Sequence, residues 1–471
     1  MTRAERRAPW SLLAAFLLAA CESQVEFRIV DGVDQDPYAG ATDVTLSVRA
    51  QDGTTIRSWR FDPLDPRGTL DPLPTGRDMV LVVETSAGGR ALSRGRSFPF
   101  DLGRRTPNPH PDVFLGRLGR FTIPLLESPT TARPLAIAAT DSGAIWIDAN
   151  GDVFRFDLHD RSGFAASRGA PTSRMVASYP SLADATFTGL PDGSLFGIGG
   201  AEARGVLIGS DGEVVATLDA STPELVVHRF GAALSVVGDS IVVAGGAPDE
   251  VSAPSASVTR FDRIVDSGVT TIVATPLEPL ASTRRDAVAA PISVRGRSDC
   301  PCARIAVVGG RDAVGPRALI ALVDPAGVDA TIEVQHSAVR PGVAVVAIED
   351  GVLAFAGGRD GLGAPVDTID LFLTRVDAIA PFSPSPPPLF FPRAGASAVM
   401  LSPGLAIVIG GVTSLEAASS AAELIEFAGN TLPTGSLVAP TAHPLAVKLR
   451  DRTILTVDAG SVTLYVSPRD L

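Results

Sequence analysis

The stretch Ile241-Val242-Val243-Ala244-Gly245-Gly246 is an apolar run closed by two glycines, and it recurs along the chain. Arg304–Gly310, Val352–Gly358 and Leu405–Gly411 repeat it, and Leu195–Gly200 is a looser copy. The first glycines of the five copies are Gly199, Gly245, Gly309, Gly357 and Gly410, near-regular in spacing with one longer interval before Gly309. Four or five apolar, mostly β-branched residues make a strand buried on both faces. Glycine follows where the chain takes conformations that a Cβ would block, or passes close to other backbone. A β unit this short cannot bury its apolar faces alone and needs its neighbours to cover them. The spacing therefore predicts the blades of a propeller.

A second feature precedes the glycine pairs. Arg229, Arg340 and Arg393, each with Gly two positions on, stand ahead of their glycine pairs at a nearly constant interval. Arg285 stands farther ahead of Gly309, because an insertion carrying Cys300-Pro301-Cys302 lengthens that repeat. An apolar strand follows each arginine, then a turn such as Gly238-Asp239-Ser240, then the glycine-ended strand. A loop and a third strand complete the unit, as in Val258–Asp262. These repeats resemble kelch motifs, with Phe391-Pro392-Arg393-Ala394-Gly395 matching the proline-rich approach to the first strand. The resemblance covers roughly residues 180–430 and implies a kelch-like β-propeller. The Tyr and Trp that kelch blades usually carry are missing, with Phe261, Phe372 and Phe427 in the place of the Tyr. Leu135–Asp157 and Leu445–Val466 read as degenerate first and last blades. That gives seven blades over 135–471, or six if one of them completes a neighbour.

Residues 21–126 read as a small all-β domain. Val25, Phe27 and Ile29 alternate on one face, as do Val44, Leu46 and Val48, with further strands at 56–61, 79–84, 93–98 and 113–123. Strands at this spacing over about 100 residues predict an immunoglobulin-like sandwich. Residues 127–134 read as the linker to the propeller.

Residues 1–20 read as a leader: Arg3, Arg6 and Arg7 precede an apolar run from Pro9 to Ala20, too short to span a bilayer. The run ends Leu18-Ala19-Ala20-Cys21, which resembles the lipobox of bacterial lipoproteins. The resemblance implies cleavage before Cys21, acylation of that residue, and anchoring to the cell envelope. Glu22 in place of Asp favours the outer membrane.

The chain has 471 residues and a formal net charge of −12 without a basic stripe, which argues against nucleic acid or an anionic membrane surface as a partner and leaves membrane contact through the lipid anchor only. Cys300 and Cys302 form either a local disulfide or two loop thiols, since no nearby His or Cys completes a zinc site. Asp141-Ser142-Gly143-Ala144-Ile145-Trp146 resembles most of a sialidase Asp box, itself a turn. Asp148, Asn150 and Asp152 alternate like the start of a calcium loop, but His159 stands where the closing Glu belongs. No nucleophile elbow, HExxH or Walker motif is present. Galactose oxidase, a copper enzyme with kelch-like blades, needs tyrosine and histidine ligands. Here Tyr179 and Tyr465, with His159, His228, His336 and His443, are dispersed in sequence. The expectation is therefore no cofactor and no catalysis: an envelope lipoprotein whose propeller binds protein or polysaccharide. Arg229, Arg285, Arg340 and Arg393 would form a basic ring on one face, either receiving a ligand's carboxylates or pairing with neighbouring blades. The alternatives are a surface carbohydrate-active hydrolase or lyase, marked by acidic residues at the central mouth, and a purely structural envelope protein.

Overall fold

The computed structural model describes residues 25–60, 67–70, 73–103, 111–124, 132–158, 171–200, 204–218, 228, 230–295, 301–349, 351–375, 378–383, 386–427 and 429–469. Two compact units account for the chain: residues 36–115 with the N-terminal strand in one, residues 32–35 and nearly all of 116–471 in the other.

The larger unit is a seven-bladed β-propeller of four-stranded antiparallel blades. Its inner strands are Pro134–Ala139, Thr186–Gly189, Ala233–Val237, Arg285–Arg295, Ala344–Glu349, Ser397–Ser402 and Leu445–Lys448. Each neighbours the next, and the last returns beside the first. The apolar runs of the repeat are the second strands. In Ser240–Ala244, alternate residues face opposite blades: Ile241 and Val243 pack on Phe196 and Ile198, while Val242 and Ala244 pack on Ile305 and Val307. A strand with a blade on each side has no solvent face, so it reads as a continuous apolar run rather than an alternation.

The glycine pairs are the joints between blades. Gly357 and Gly358 take φ of 68° and 94°, a region closed to most side chains. The Gly358 N–H donates across the joint to the Arg393 carbonyl at 2.9 Å, as Gly246 does to Arg284 and Gly411 to Thr441. A Cβ on Gly357 would lie 2.3 Å from that same Arg393 oxygen.

The flanking segments are complete blades. Thr172–Ser178 adds the outer strand of the first, and Arg120–Thr122 adds that of the last by pairing with Ser461–Val466. The sequence reads 113–123 as one strand of the small domain. Instead Gly119, at φ 69°, breaks it into Asp112–Arg117 and Arg120–Thr122, and the second piece closes the propeller ring.

The smaller unit corrects the expectation of an immunoglobulin-like sandwich. One sheet curls into a half-barrel, with strands in the order Thr55–Arg60, Asp43–Arg49, Gly76–Ala87, Arg90–Ser97, Asp112–Arg117, Val25–Asp31, Arg67–Leu70. Register shifts at Val48/Arg49, Thr85/Ser86 and Gly76/Met79 supply bulges that bend the strands, so the sheet folds over its own core of Phe27, Leu46, Leu81 and Val113. Arg28 grips Asp112 through two bonds of 3.0 and 2.6 Å within this unit.

Candidate functional site

The arginines expected to form a ring are placed unequally. Arg393 is fully buried and ion-paired to the equally buried Glu423, and it also donates to the Phe391, Gly410 and Ala421 carbonyls. Burial lowers its pKa, and Glu423 opposes the shift. Arg340 repeats the arrangement less deeply, with Nε on the Gly357 carbonyl and Nη2 on Asp370, each at 3.0 Å. Arg229 lies outside the described residues. Its neighbour His228 occupies the equivalent position, its two ring nitrogens 2.6 Å from the Gly245 carbonyl and 2.9 Å from Thr259 Oγ1. In the fourth blade the buried residue is Arg284, ion-paired to Glu333 and lowered to about 10 by burial and by Arg317. Arg285 is half-buried and donates to the Glu250 carbonyl at 2.5 Å. The shared position thus clamps the first-glycine carbonyl or a carboxylate within the propeller. The buried position lies one residue before the arginine singled out in two blades, and among the described residues Arg285, Arg340 and Arg393 are engaged with the protein and are not free cations.

The central mouth beside the glycine joints carries different groups. Asp184, Gly231, Gly342, Gly395 and His443 each stand two residues before an inner strand, and Asp286 takes the corresponding place in the fourth blade. Ring neighbours are bonded here: Asp286 N–H donates to the Gly231 carbonyl at 2.6 Å, and Gly395 N–H to that of Gly342 at 2.7 Å. The three glycines have φ of 61–70°, and Asp184 and Asp286 hold the same region at 66° and 57°. Asp184 and Asp286 thus keep side chains in the backbone region that glycine takes in blades three, five and six, a strained placement that His443 does not share. Arg311 holds the Asp286 carboxylate at 2.6 Å, and both aspartates are exposed.

His443 is exposed, with its Nδ1–Cε1 edge against Gly395. Among the described residues neither ring nitrogen has a hydrogen-bond partner. Burial of part of the ring lowers its pKa below the usual 6.5. The Arg133 and Arg359 guanidiniums lower it further, and Asp458 opposes them. Arg359 is held by Glu416 through bonds of 2.6 and 2.8 Å. Arg133, one residue before the first inner strand, is exposed and has no ion-pair partner among the described residues. These approaches to the inner strands thus carry an imidazole in the seventh blade, a guanidinium without an ion-pair partner among the described residues in the first, and carboxylates in the second and fourth. Sequence reading missed Arg133 and left His443 unplaced. The signal was that Thr441-Ala442-His443 aligns with Arg393-Ala394-Gly395. A Cβ on Gly395 would stand 2.9 Å from His443 Nδ1 at φ 70°. Gly395→Ala is expected to displace the ring and to destabilise the protein by about 1–3 kcal/mol, checked by denaturant midpoint and by the His443 imidazole NMR shifts.

The remaining motifs are structural. Asp141–Trp146 is a tight turn leading into a strand, with Trp146 buried against Phe154 at 5.6 Å. Asp148 accepts from the Asn150 and Asp152 amides, which closes a hairpin. Cys21 and Cys300 lie outside the described residues, and of Cys302 only the strand is described. At the opposite end of the channel, a cavity of about 490 Å³ is lined by apolar residues such as Val236, Ile292, Ala347 and Met400. It brings no acid or base group to the channel.

No protein-family model and no curated protein matches the chain. A solved structure of similar fold is that of a fungal alcohol oxidase of the AA5 family in complex with copper. It is 15% identical, covers 71% of each chain, and has a TM-score of 0.48. That likeness concerns architecture alone. With Arg340 and Arg393 engaged inside the propeller, the expectation of a scaffold that binds its ligand through a ring of arginines is withdrawn. Copper does not fit the residues in place. Among the described residues, no three His, Cys, Asp or Glu side chains converge on a common point. Tyr465 is buried against Thr434, Tyr179 donates to the Gly212 carbonyl, and His228 and His336 are engaged with their own blades.

Proposed function

We propose that the chain is an envelope-anchored enzyme of carbohydrate breakdown, acting at the central mouth on a saccharide that bears carboxylates. The observation that carries the reading is the placement of His443, Asp184 and Asp286 at the position that glycine takes in blades three, five and six, with the two aspartates held at positive φ. An imidazole beside a guanidinium suits elimination better than glycoside hydrolysis, which uses a pair of carboxylates flanking the bond. Arg133 would hold the sugar carboxylate and delocalise charge developing on it. Neutral His443 would take the proton from the carbon next to that carboxylate. The C–H electron pair then forms the C=C bond as the C–O bond at the neighbouring carbon breaks. The departing oxygen takes the proton back from the imidazolium. Asp184 and Asp286 offer acceptors to sugar hydroxyls.

Incubation with uronate-rich polysaccharides, followed by the ultraviolet absorbance of the new conjugated C=C, tests the reading. Unsaturated ends should accumulate. Reducing ends appearing without that absorbance would mean hydrolysis, and no cleavage of any uronate polymer would sink the proposal.

The leader and Cys21 support the cellular half of the proposal. In a bacterial host fed labelled palmitate, the chain is expected to carry the label and Cys21→Ser to lose it. Equal labelling of both would refute acylation at this residue.

A further inference from the structure

The third blade differs from the others in its outer half. Its third and fourth strands, Val258–Asp266 and Val269–Leu277, have nine residues each, whereas the outer strands of the other blades have three to seven. The second strand, Ser240–Ala244, pairs only as far as Asp262. Beyond it Arg263–Asp266 pairs with Val269–Ile272 alone, so a two-stranded ribbon projects from the end of the propeller opposite the mouth. Ser267 and Gly268 close the ribbon at φ of 50° and 80°, the tight turn whose twist matches that of the strands. Its base is braced on both sides, by Arg263 on Asp192 of the second blade and by Arg260 on the Pro325 carbonyl of the fourth at 2.9 Å. Its aliphatic side chains are left uncovered: Val265 and Val269 keep 61 and 64% of their surface in solvent, Ile264 and Val273 48 and 45%. A two-stranded ribbon alone is at best marginally stable in water and gains from a further strand.

We propose that the outer edge of Val269–Leu277 pairs with the same edge of a second copy of this chain, antiparallel, about a two-fold axis at Ile272. The tight turn makes Asp266 and Val269 a hydrogen-bonded pair, so the N–H and C=O of Thr270, Ile272 and Ala274 point away from the neighbouring strand. Among the described residues these groups have no hydrogen-bond partner. Pro276, which would be next in that series, has no N–H and ends the edge. Proteins blunt exposed edges with charge, shortness or bulges, and this strand has none of these: it runs nine residues in even register without a charged side chain. In a chain of net charge −12, two copies can meet along it without opposing like charges. The two-fold sets Thr270 opposite Ala274, Ile272 opposite itself, Thr271 opposite Val273, and Val269 opposite Thr275. Almost every residue so matched is β-branched, the type that pairs best across strands, and all three outward residues find partners. A strand of another protein could take the same hydrogen bonds, but here the chain's own sequence supplies the match on both faces. The contact is isologous, so it closes at two copies and joins two four-stranded blades into one continuous sheet. It lies at the end away from the mouth and does not depend on the chemistry proposed there.

The test uses the full chain carrying Cys21→Ser, so that no acyl chain draws copies together. Light scattering after size exclusion should give twice the chain mass for this parent. Thr271→Lys/Val273→Lys places charge at two exposed positions of the edge and should give the mass of one chain, with the denaturation midpoint of the parent. A parent that weighs as a monomer, or a dimer that survives the two lysines, overturns the interface. A second measurement reads the register without added charge. Thr271→Cys and Val273→Cys are made in separate chains, and the two proteins are mixed and oxidised. Directly opposite positions come within disulfide reach, whereas 271 and its own copy lie on a diagonal too long to bridge. The mixture should therefore cross-link, and either variant alone should behave as the parent does. Cross-linking of a variant with itself, or none in the mixture, overturns the pairing about Ile272.

Discussion

Glu423→Ala is expected to lower the stability of the propeller by about 3–5 kcal/mol, because it strands a buried cation. Arg393 has no solvent exposure, and Glu423 is the carboxylate that neutralises it. The arginine's other donors go to carbonyls at Phe391, Gly410 and Ala421, which accept hydrogen bonds but do not cancel the charge. Glu423 also accepts from the Phe390 amide at 2.6 Å, so the substitution breaks the approach to the sixth blade as well. The urea midpoint should fall at an unchanged slope. Removing both charges with Arg393→Met/Glu423→Leu should recover most of the loss, since the desolvation cost goes with the pair. Asp370→Ala, which unpairs the more open Arg340, should cost less than half as much, because water can reach that guanidinium. If the two single variants were equally mild, the buried pair would not be the clamp described.

The contrast between these arginines shows what the sequence carried and what it did not. The glycine pairs were legible because two consecutive positive-φ residues at a blade joint leave no other choice. The buried second strands were legible because both their faces meet a neighbouring blade. Those two constraints defined the blade frame. The closing strand at 120–122 was not legible, because it is defined by a partner at the far end of the chain, Ser461–Val466, and carries no pattern of its own. The curl of the smaller unit was hidden for a related reason. Period-two alternation marks a buried face in a sandwich and in a half-barrel alike, and the bulges that separate the two appear only in the register. The site was misread more subtly. Arginine was tracked as a residue type, although the repeat keeps a buried donor position that His228 fills as well. Displacement by one position, as with Arg284 and Arg285, exchanges a buried clamp for a surface contact. His443 drew no attention because it stands alone in sequence, and its meaning comes from the glycines at the same place in other blades.

His443→Gln is expected to lower kcat on a uronate polymer by about 10²–10⁴-fold, the usual worth of a positioned general base, with the denaturation midpoint unchanged because the side chain is exposed. Arg133→Ala should raise KM and lower kcat together, because the guanidinium both holds the substrate carboxylate and stabilises the charge that develops on it. The pH profile separates these residues from ones that only support the fold. A lowered imidazole pKa places the acid limb of kcat/KM below 6.5, since activity is lost as the base takes up a proton. Arg133 is one of the groups that lower it, so Arg133→Ala should move that limb towards higher pH. Asp458 opposes them, so Asp458→Asn should move the limb towards lower pH. Protein stability carries the same sign at this residue. The unfolded chain binds the proton more readily, so stability contributed by neutral His443 declines as pH falls through 6.5. Opposite displacements from two neighbours of opposite charge are hard to obtain from general loosening of the mouth. If both variants left the limb in place while His443→Gln abolished activity, His443 would matter for shape and some other group would be the base.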